Sequence, residues 1–147
     1  LRMAGNLRMQ MGILAGALIS EGKKDKAIKI LDKCLTVMPE ENVPYDATIF
    51  TIAGAYYELK EFKKANDLAK KLFDIYEGDL KIYNAQKPNR RNAYSRDINQ
   101  AKEILKRLTG MSQQFGQFDV YRDFMSRLPA VMPEEEMAAP ESQYQMP

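Results

Sequence analysis

The stretch at residues 11–39 constrains the fold most, because two helical periodicities meet there at one short turn. Gly22 lies in the polar turn, where it can adopt the left-handed conformation that ends a helix. Two helices joined so tightly lie antiparallel. Apolar side chains recur at helical spacing on both sides of the turn: Met11, Leu14, Ala15, Leu18 and Ile19 before it, and Ala27, Ile28, Leu31, Leu35 and Met38 after it.

A second copy of this pattern follows along the chain. Ala27 and Ala65 take equivalent places, 38 residues apart. This interval exceeds a typical helical repeat of about 34 residues by roughly four. We place the excess in the loop at residues 40–45, because loops accept insertions at small cost in free energy. The apolar positions of the second copy keep the intervals of the first: Ile49, Ile52, Ala53, Tyr56, Phe62, Ala65 and Ala69.

These intervals fit the tetratricopeptide signature, in which Trp, Leu-Gly, Tyr, Ala, Phe and Pro recur at set positions. Met11 takes the Trp position and Leu18 the Tyr position, and the others fall on Leu14-Ala15, Ala27, Leu31 and Pro39. The predicted fold is therefore all-α. It is a tetratricopeptide-like helical repeat, an α-α superhelix of about six helices in three antiparallel pairs.

The apolar stripes place these helices in one domain at residues 1–128, with a degenerate third pair. Residues 86–91 contain Pro88 and interrupt the pattern, which indicates a turn or an exposed insert. Residues 129–147 contain four prolines and no helical stripe, which predicts a disordered tail. The predicted helices span about residues 1–20, 24–38, 47–59, 62–83, 92–114 and 119–128.

Composition is typical of a soluble globular chain, with 45% hydrophobic and 29% charged residues over 147 positions. The formal net charge of +2 gives no general reason to expect nucleic acid as a partner. No apolar run approaches the roughly 18 residues that a membrane span needs. The sequence starts at Leu1 rather than methionine, so we expect a fragment or a processed product of a longer protein.

The residue types that usually carry enzyme chemistry are missing or isolated. Histidine is absent, which removes the commonest general base and transition-metal ligand. Cys34 is the only cysteine and lies near the apolar stripe of the second helix, so we interpret it as a core residue. The sequence has no glycine-rich phosphate loop and no cysteine pair for zinc. We therefore expect no enzyme activity, no cofactor and no metal site in this chain.

Two segments, residues 22–46 and 52–83, resemble the C-terminal tetratricopeptide-like region of a family of bacterial multi-pass membrane proteins of unknown function. The most specific part is Met-Pro-Glu-Glu-Asn-Val-Pro-Tyr-Asp at residues 38–46. The N-terminal part of those proteins resembles protein O-mannosyltransferases. The resemblance covers residues 7–128 and implies a parent protein in the cell membrane, with this domain on the periplasmic side and soluble when isolated. It carries over no catalytic residue, because sugar transfer would belong to the N-terminal part.

A candidate binding groove comes from the repeat pattern, because the first helix of each pair lines the concave side of a helical repeat. Phe50 and Tyr57 lie seven residues apart on the third helix, and Glu58 flanks them. On the first helix, Met9 would face the same groove, together with Gly12 and Gly16. The alternative is that these residues pack against the fifth helix or the tail.

A basic cluster is the second candidate site. Lys87, Arg90 and Arg91 surround Pro88 in the segment that interrupts the helical pattern. The cluster is either a solvated connection or a contact for phosphate or acidic lipid.

Two functions remain open from the sequence. The first is a non-catalytic interaction or scaffolding domain, which binds a protein or peptide partner or the membrane domain of its own parent. The second is a glycan- or lipid-handling module, which holds the substrate of the parent enzyme in the concave groove. Neither function calls for nucleic acid or a metal, and contact with the membrane would come only through the N-terminal part of the parent.

Overall fold

The computed structural model describes residues 2–133 and residue 136, apart from the Arg2 side chain. Every regular element among these residues is helical, which confirms the all-α prediction. The elements are α1 (Arg2–Ser20), α2 (Lys24–Val37), α3 (Thr48–Glu58), α4 (Phe62–Asn84), α5 (Pro88–Ala93), α6 (Ser95–Gln114) and α7 (Phe118–Arg127), followed by a 3₁₀ turn at Leu128–Ala130.

The described residues form seven α-helices, one more than predicted, because the segment around Pro88 forms the short helix α5. Pro88 takes the first turn of α5, where its restricted φ suits the helix and its missing N–H is not needed. The following helix, α6, therefore begins at Ser95 rather than near residue 92. Helix α4 continues to Asn84, as the apolar stripe predicted.

Backbone contacts divide the chain into two compact units, with the division inside α4 between Leu72 and Phe73. Unit 1 contains α1, α2, α3 and the first half of α4. Within it, α1 packs against both α2 and α3, whereas α2 and α3 meet over a smaller area. In unit 2, the second half of α4 is followed by α5, α6 and α7, and α6 packs against α7.

The same backbone turn joins α1 to α2, α3 to α4, and α6 to α7. Each turn has one residue in the left-handed region, at Gly22 (φ 77°), Lys60 (φ 62°) and Gly116 (φ 72°). In each, the next N–H donates to a carbonyl five residues back, which is the Schellman arrangement. The three bonds are Lys23 N to Leu18 O at 2.8 Å, Glu61 N to Tyr56 O at 2.9 Å and Gln117 N to Ser112 O at 2.8 Å.

Small residues on α1 and α2 allow the helices of unit 1 to pack close together. Ala15 and Ala27 are fully buried. At Gly12, a Cβ atom would lie 3.3 Å from Thr51 Cγ2 of α3, which is a tight contact, so α1 and α3 approach closely at this point. Leu14, predicted to share the core stripe with Ala15, is instead 49% exposed. The alanine and glycine side of α1 faces the core because it allows the closer approach.

Asp32 links α2 to the second helix pair of unit 1. Its Oδ1 accepts hydrogen bonds from the Tyr56 hydroxyl at 2.7 Å and from Lys64 Nζ at 3.1 Å. Burial of Tyr56 and its hydrogen bond to Asp32 raise the pKa of the phenol well above its ordinary value. Tyr56 therefore remains a neutral donor at physiological pH and connects the two helix pairs.

An arginine beside an aromatic pair stabilises unit 2. Phe73 and Phe124 stack with ring centroids 4.1 Å apart, and the Arg127 guanidinium lies 4.7 Å from the Phe73 centroid. Arg127 donates to both carboxylate oxygens of Glu77, at 2.8 and 3.1 Å, and also pairs with Asp74. The hydrogen bonds from Arg127 hold the pKa of Glu77 below its ordinary value.

Packing continues beyond Leu128, the last residue of the predicted repeat domain. Val131 and Met132 are each 3% exposed, and Asn84 Nδ2 donates to the Val131 carbonyl at 3.2 Å. The expectation of disorder from residue 129 onward is therefore wrong for these two residues. Prolines prevent a continuous helix there, but they do not prevent two apolar side chains from being buried. The other predicted tail residues lie mostly outside the described part of the chain.

The burial of Ala27 leads to a stability prediction. Ala27→Leu should lower the free energy of unfolding by about 1–3 kcal/mol, because the larger side chain overpacks a fully buried position. Urea unfolding followed by circular dichroism measures this change. Lys26→Leu, at the adjacent exposed position, is the control. An unchanged unfolding midpoint for Ala27→Leu would mean that the helices are not tightly packed at this point.

Candidate interaction surface

The contact between α1 and α3 defines a surface on unit 1 that we call the α1–α3 face: Met9, Gly16, Thr51 and Glu58. Met9 and Gly16 flank Gly12 at helical spacing, and Glu58 lies two turns after Thr51. Met9 is 38% exposed, and both Thr51 and Glu58 are exposed. A Cβ atom at Gly16 would have no neighbour within 4 Å, so the space beside it is open.

Of the predicted groove residues, Met9 and Glu58 lie on this face and Phe50 is only partly exposed. Tyr57 is 1% exposed, and its hydroxyl donates to Asn66 Oδ1 at 2.6 Å. The prediction that Tyr57 lines an open groove is therefore wrong.

The turn after α3 explains the burial of Tyr57. It folds the start of α4 back beside the phenol, so that the rings of Tyr57 and Phe62 lie 6.4 Å apart. Burial also raises the pKa of Tyr57 to about 12. The side chain thus belongs to the core of the second helix pair.

Thr51 is the residue of the α1–α3 face that the sequence did not point to. A threonine beside an apolar stripe carries no signal of its own, because such positions usually face solvent. The place of Thr51 on this face follows only from its close contact with Gly12 of α1, a residue 39 positions earlier in the sequence.

Arg8 anchors the loop that follows α2, and sequence reasoning did not single it out. The side chain is fully buried. Its Nη1 donates to the Pro44 carbonyl at 3.2 Å, and its Nη2 donates to the carbonyls of Met38 at 3.1 Å and Val43 at 2.9 Å. One guanidinium thus satisfies three backbone acceptors of a loop that has no regular structure of its own.

The charge of Arg8 is balanced mainly by the dipoles of the three backbone carbonyls and by the aromatic ring of Tyr45. The nearest carboxylate is that of Asp46, 4.0 Å away and largely exposed. The guanidinium lies 5.2 Å from the centroid of Tyr45, and its Nε has no hydrogen-bond partner among the described residues. The available sequence signal was that Arg8 is the single charge within residues 3–20.

The basic cluster forms one turn of helix in unit 2. The amides of Arg90 and Arg91 both donate to the Lys87 carbonyl at 2.9 Å, which brings the three side chains together. All three are exposed. Contact with phosphate or acidic lipid stays a prediction for these residues.

Cys34 is fully buried, as predicted for a core residue, and burial raises the pKa of its thiol. Within the described residues, no group of three or more histidine, cysteine or acidic side chains is placed to hold a metal ion. Among the described helices, none combines the length and the apolar character that a membrane span requires.

Comparison with protein families, curated proteins and solved structures gives no match. What the chain does must therefore be inferred from its own residues and their geometry.

The buried guanidinium leads to the second prediction. Arg8→Leu should lower the free energy of unfolding by about 2–5 kcal/mol, because one buried and two partly buried carbonyls lose their donor. Urea unfolding measures the loss, and faster hydrogen exchange at Val43 would locate it in the loop. Lys33→Leu, which removes an exposed charge from unit 1, is the control. A loss below about 0.5 kcal/mol for Arg8→Leu would contradict this role.

The burial of Tyr57 leads to the third prediction. Tyr57→Ala should cost about 3–5 kcal/mol of stability, as expected for a large aromatic residue removed from a core. Glu58→Ala, at the next and exposed position, should change stability by no more than about 0.5 kcal/mol. Thermal or urea unfolding of the two variants separates a core role from a surface role. If the two substitutions had the same small effect on the free energy of unfolding, the core role of Tyr57 would be contradicted.

Proposed function

We propose that this chain is a non-catalytic interaction domain that binds a protein or peptide through the α1–α3 face. The observation that carries the proposal is the exposure of Met9 and Glu58 beside the Gly12–Thr51 contact, with open space at Gly16. Adjacent helices of a repeat commonly present such an extended surface to a partner. Met9 can provide apolar contact area for a peptide, and the carboxylate of Glu58 and the hydroxyl of Thr51 can orient it by hydrogen bonds.

We also propose that the helices form a tetratricopeptide-like array of three antiparallel pairs. In support, the same Schellman turn recurs at Gly22, Lys60 and Gly116. The alanines at equivalent positions of the first two pairs, Ala27 and Ala65, are both fully buried. The extra helix α5 lies between α4 and the third pair, α6 and α7. This insertion explains why the third pair is irregularly spaced in the sequence relative to the first two pairs.

The setting that we propose is a membrane-embedded, glycosyltransferase-like protein with this domain on the periplasmic side, as the resemblance at residues 22–46 and 52–83 implies. The partner would then be another protein of the cell envelope or the membrane part of the parent. We expect the isolated domain neither to transfer nor to hydrolyse a sugar. Support for this expectation comes from the lack of histidine and the burial of Cys34, the one thiol.

The alternative function is that of a glycan- or lipid-handling module that binds the substrate of the parent. The observation in its favour is the exposed turn that carries Lys87, Arg90 and Arg91. Arginine guanidinium groups bind phosphate in a bidentate manner, so this turn suits the phosphate of a lipid-linked sugar.

Site-directed photo-cross-linking tests the proposal in cells that make the parent protein. A photo-reactive phenylalanine analogue in place of Glu58 should form one dominant protein adduct, because this position is exposed on the α1–α3 face. Gly16→Gln should reduce the adduct several-fold by filling the open space beside it. The helix should tolerate this change, since glutamine is a better helix former than glycine. Mass spectrometry identifies the attached partner.

Gly78→Gln is the matched control, because it is the same substitution at another helical glycine with open space around its Cβ position. It should leave the adduct unchanged. An adduct with the mass of a lipid or glycan would favour the alternative function. An adduct that persists in Gly16→Gln would mean that the partner does not occupy the space beside Gly16. Absence of any adduct at position 58 would place the binding surface elsewhere on the domain.

A further inference from the structure

Helix α5 belongs to a short excursion of the chain that is closed at its base. The rings of Tyr83, near the end of α4, and Tyr94, just after α5, stack with their centroids 5.1 Å apart. We call the segment between them, residues 84–93, the α5 projection. Residues 87–97 are all exposed, and α5 buries none of its side chains. Helix α5 therefore adds no side chain to the core of unit 2, and its surface is open to other molecules.

The sequence around the α5 projection carries charge of one sign. Residues 80–96 include five basic and no acidic side chains. Because the formal net charge of the whole chain is only +2, the remaining residues together are net negative. Asp79 and Asp97, the nearest acidic residues in the sequence, lie outside this segment. Positive charge is thus concentrated in one segment of unit 2.

Most basic side chains of this segment also lack the carboxylate partners that other surface arginines have. Within the described residues, four of them form no ion pair: Lys87, Arg90, Arg91 and Arg96. By contrast, Arg107 of α6 pairs with Glu103, one helical turn away. Arg122 of α7 likewise pairs with Asp119. Four exposed charges without a partner attract an anionic surface, because no internal carboxylate competes with it.

Two exposed side chains with apolar surface lie at or next to the base of the α5 projection. Ile82, in the last turn of α4, is 62% exposed, and Tyr94 is 43% exposed. Gln86 Nε2 donates to the Ile82 carbonyl at 3.3 Å, which ties the start of the projection to the end of α4. An exposed isoleucine gains free energy when it leaves water. A tyrosine suits the boundary between water and lipid, because its ring is apolar and its hydroxyl is polar.

We propose that the α5 projection docks this domain directly on the surface of an anionic lipid bilayer. The basic cluster contacts the phosphates of the headgroups. Ile82 enters the boundary between the headgroups and the acyl chains. A bilayer surface offers phosphate and hydrocarbon side by side, whereas a nucleic acid or free phosphate offers no hydrocarbon to Ile82.

This docking goes beyond the two functions considered above. The sequence led us to expect membrane contact only through a parent protein, and the α5 projection adds a direct contact. The alternative function needs a lipid-linked sugar, whereas any anionic lipid suffices here. Peptide binding at the α1–α3 face belongs to unit 1 and is independent of this contact. Because the attraction is largely electrostatic, docking is reversible and weakens as salt concentration rises.

Flotation of the whole chain with lipid vesicles tests the charge requirement. The chain should bind vesicles made of equal parts of phosphatidylglycerol and phosphatidylcholine at low salt concentration. It should bind vesicles of phosphatidylcholine alone at least roughly tenfold more weakly. The double variant Arg90→Gln and Arg91→Gln should weaken binding to the anionic vesicles roughly thirtyfold, at about fivefold for each charge removed.

The matched control is the double variant Arg107→Gln and Arg122→Gln. It removes the same charge from two exposed arginines of unit 2 that already have carboxylate partners. It should weaken binding to the anionic vesicles by no more than about twofold. Equal binding to both kinds of vesicle, or equal losses for the two double variants, would overturn the proposal.

Ile82→Ser tests whether a bilayer, rather than phosphate alone, occupies the α5 projection. It should weaken binding to the anionic vesicles several-fold, because a hydroxyl gains nothing from the acyl boundary. Val37→Ser on α2 is the control, since Val37 is similarly exposed, at 56%. Millimolar inorganic phosphate should not displace the chain from the vesicles. Displacement by phosphate, tighter binding to a DNA duplex than to the vesicles, or undiminished binding of Ile82→Ser would overturn the proposal.

Discussion

The buried guanidinium of Arg8 supports the loop on which the packing of unit 1 depends. Residues 38–46 turn several backbone carbonyls toward the interior, where an acceptor without a donor costs stability. Arg8 donates to those of Met38, Val43 and Pro44 from the middle of α1. Because α1 also packs against α2 and α3, one side chain ties the loop to all three helices. The loop between α2 and α3 is thus held by the first helix.

The recurring Schellman turn explains which side chains near each turn become buried. It reverses the chain within three residues, so the start of the second helix covers one side of the end of the first. In the second pair this covers Tyr57, while Glu58 stays exposed on the other side of α3. The turn forms there with Lys60 at φ 62°, a conformation that costs a non-glycine residue about 1 kcal/mol. Packing of the aromatic residues offsets that cost.

Helix α1 departs from the usual amphipathic helix, which has one buried side and one solvated side. Its core side is built from small residues such as Ala15, together with the buried Arg8. A second side, with Met9 and Gly16, borders α3. The remaining side is apolar and exposed, and Leu14 lies at its centre. A helix with three such sides suits a domain whose role is contact with other molecules, and we infer that role for this chain.

Local spacing in the sequence determined that the described part of the chain is all-helical, where most of its helices begin and end, and that turns occur at residues such as Gly22. These features depend on interactions between residues close in sequence. Tertiary structure decided which side of each helix is covered. Periodicity places Leu14 and Ala15 on one stripe, but only the close approach of α3 selects the alanine side. In the same way, α4 buries Tyr57, and a loop some 30 residues away gives Arg8 its partners. Such choices depend on contacts distant in sequence, which periodicity does not encode.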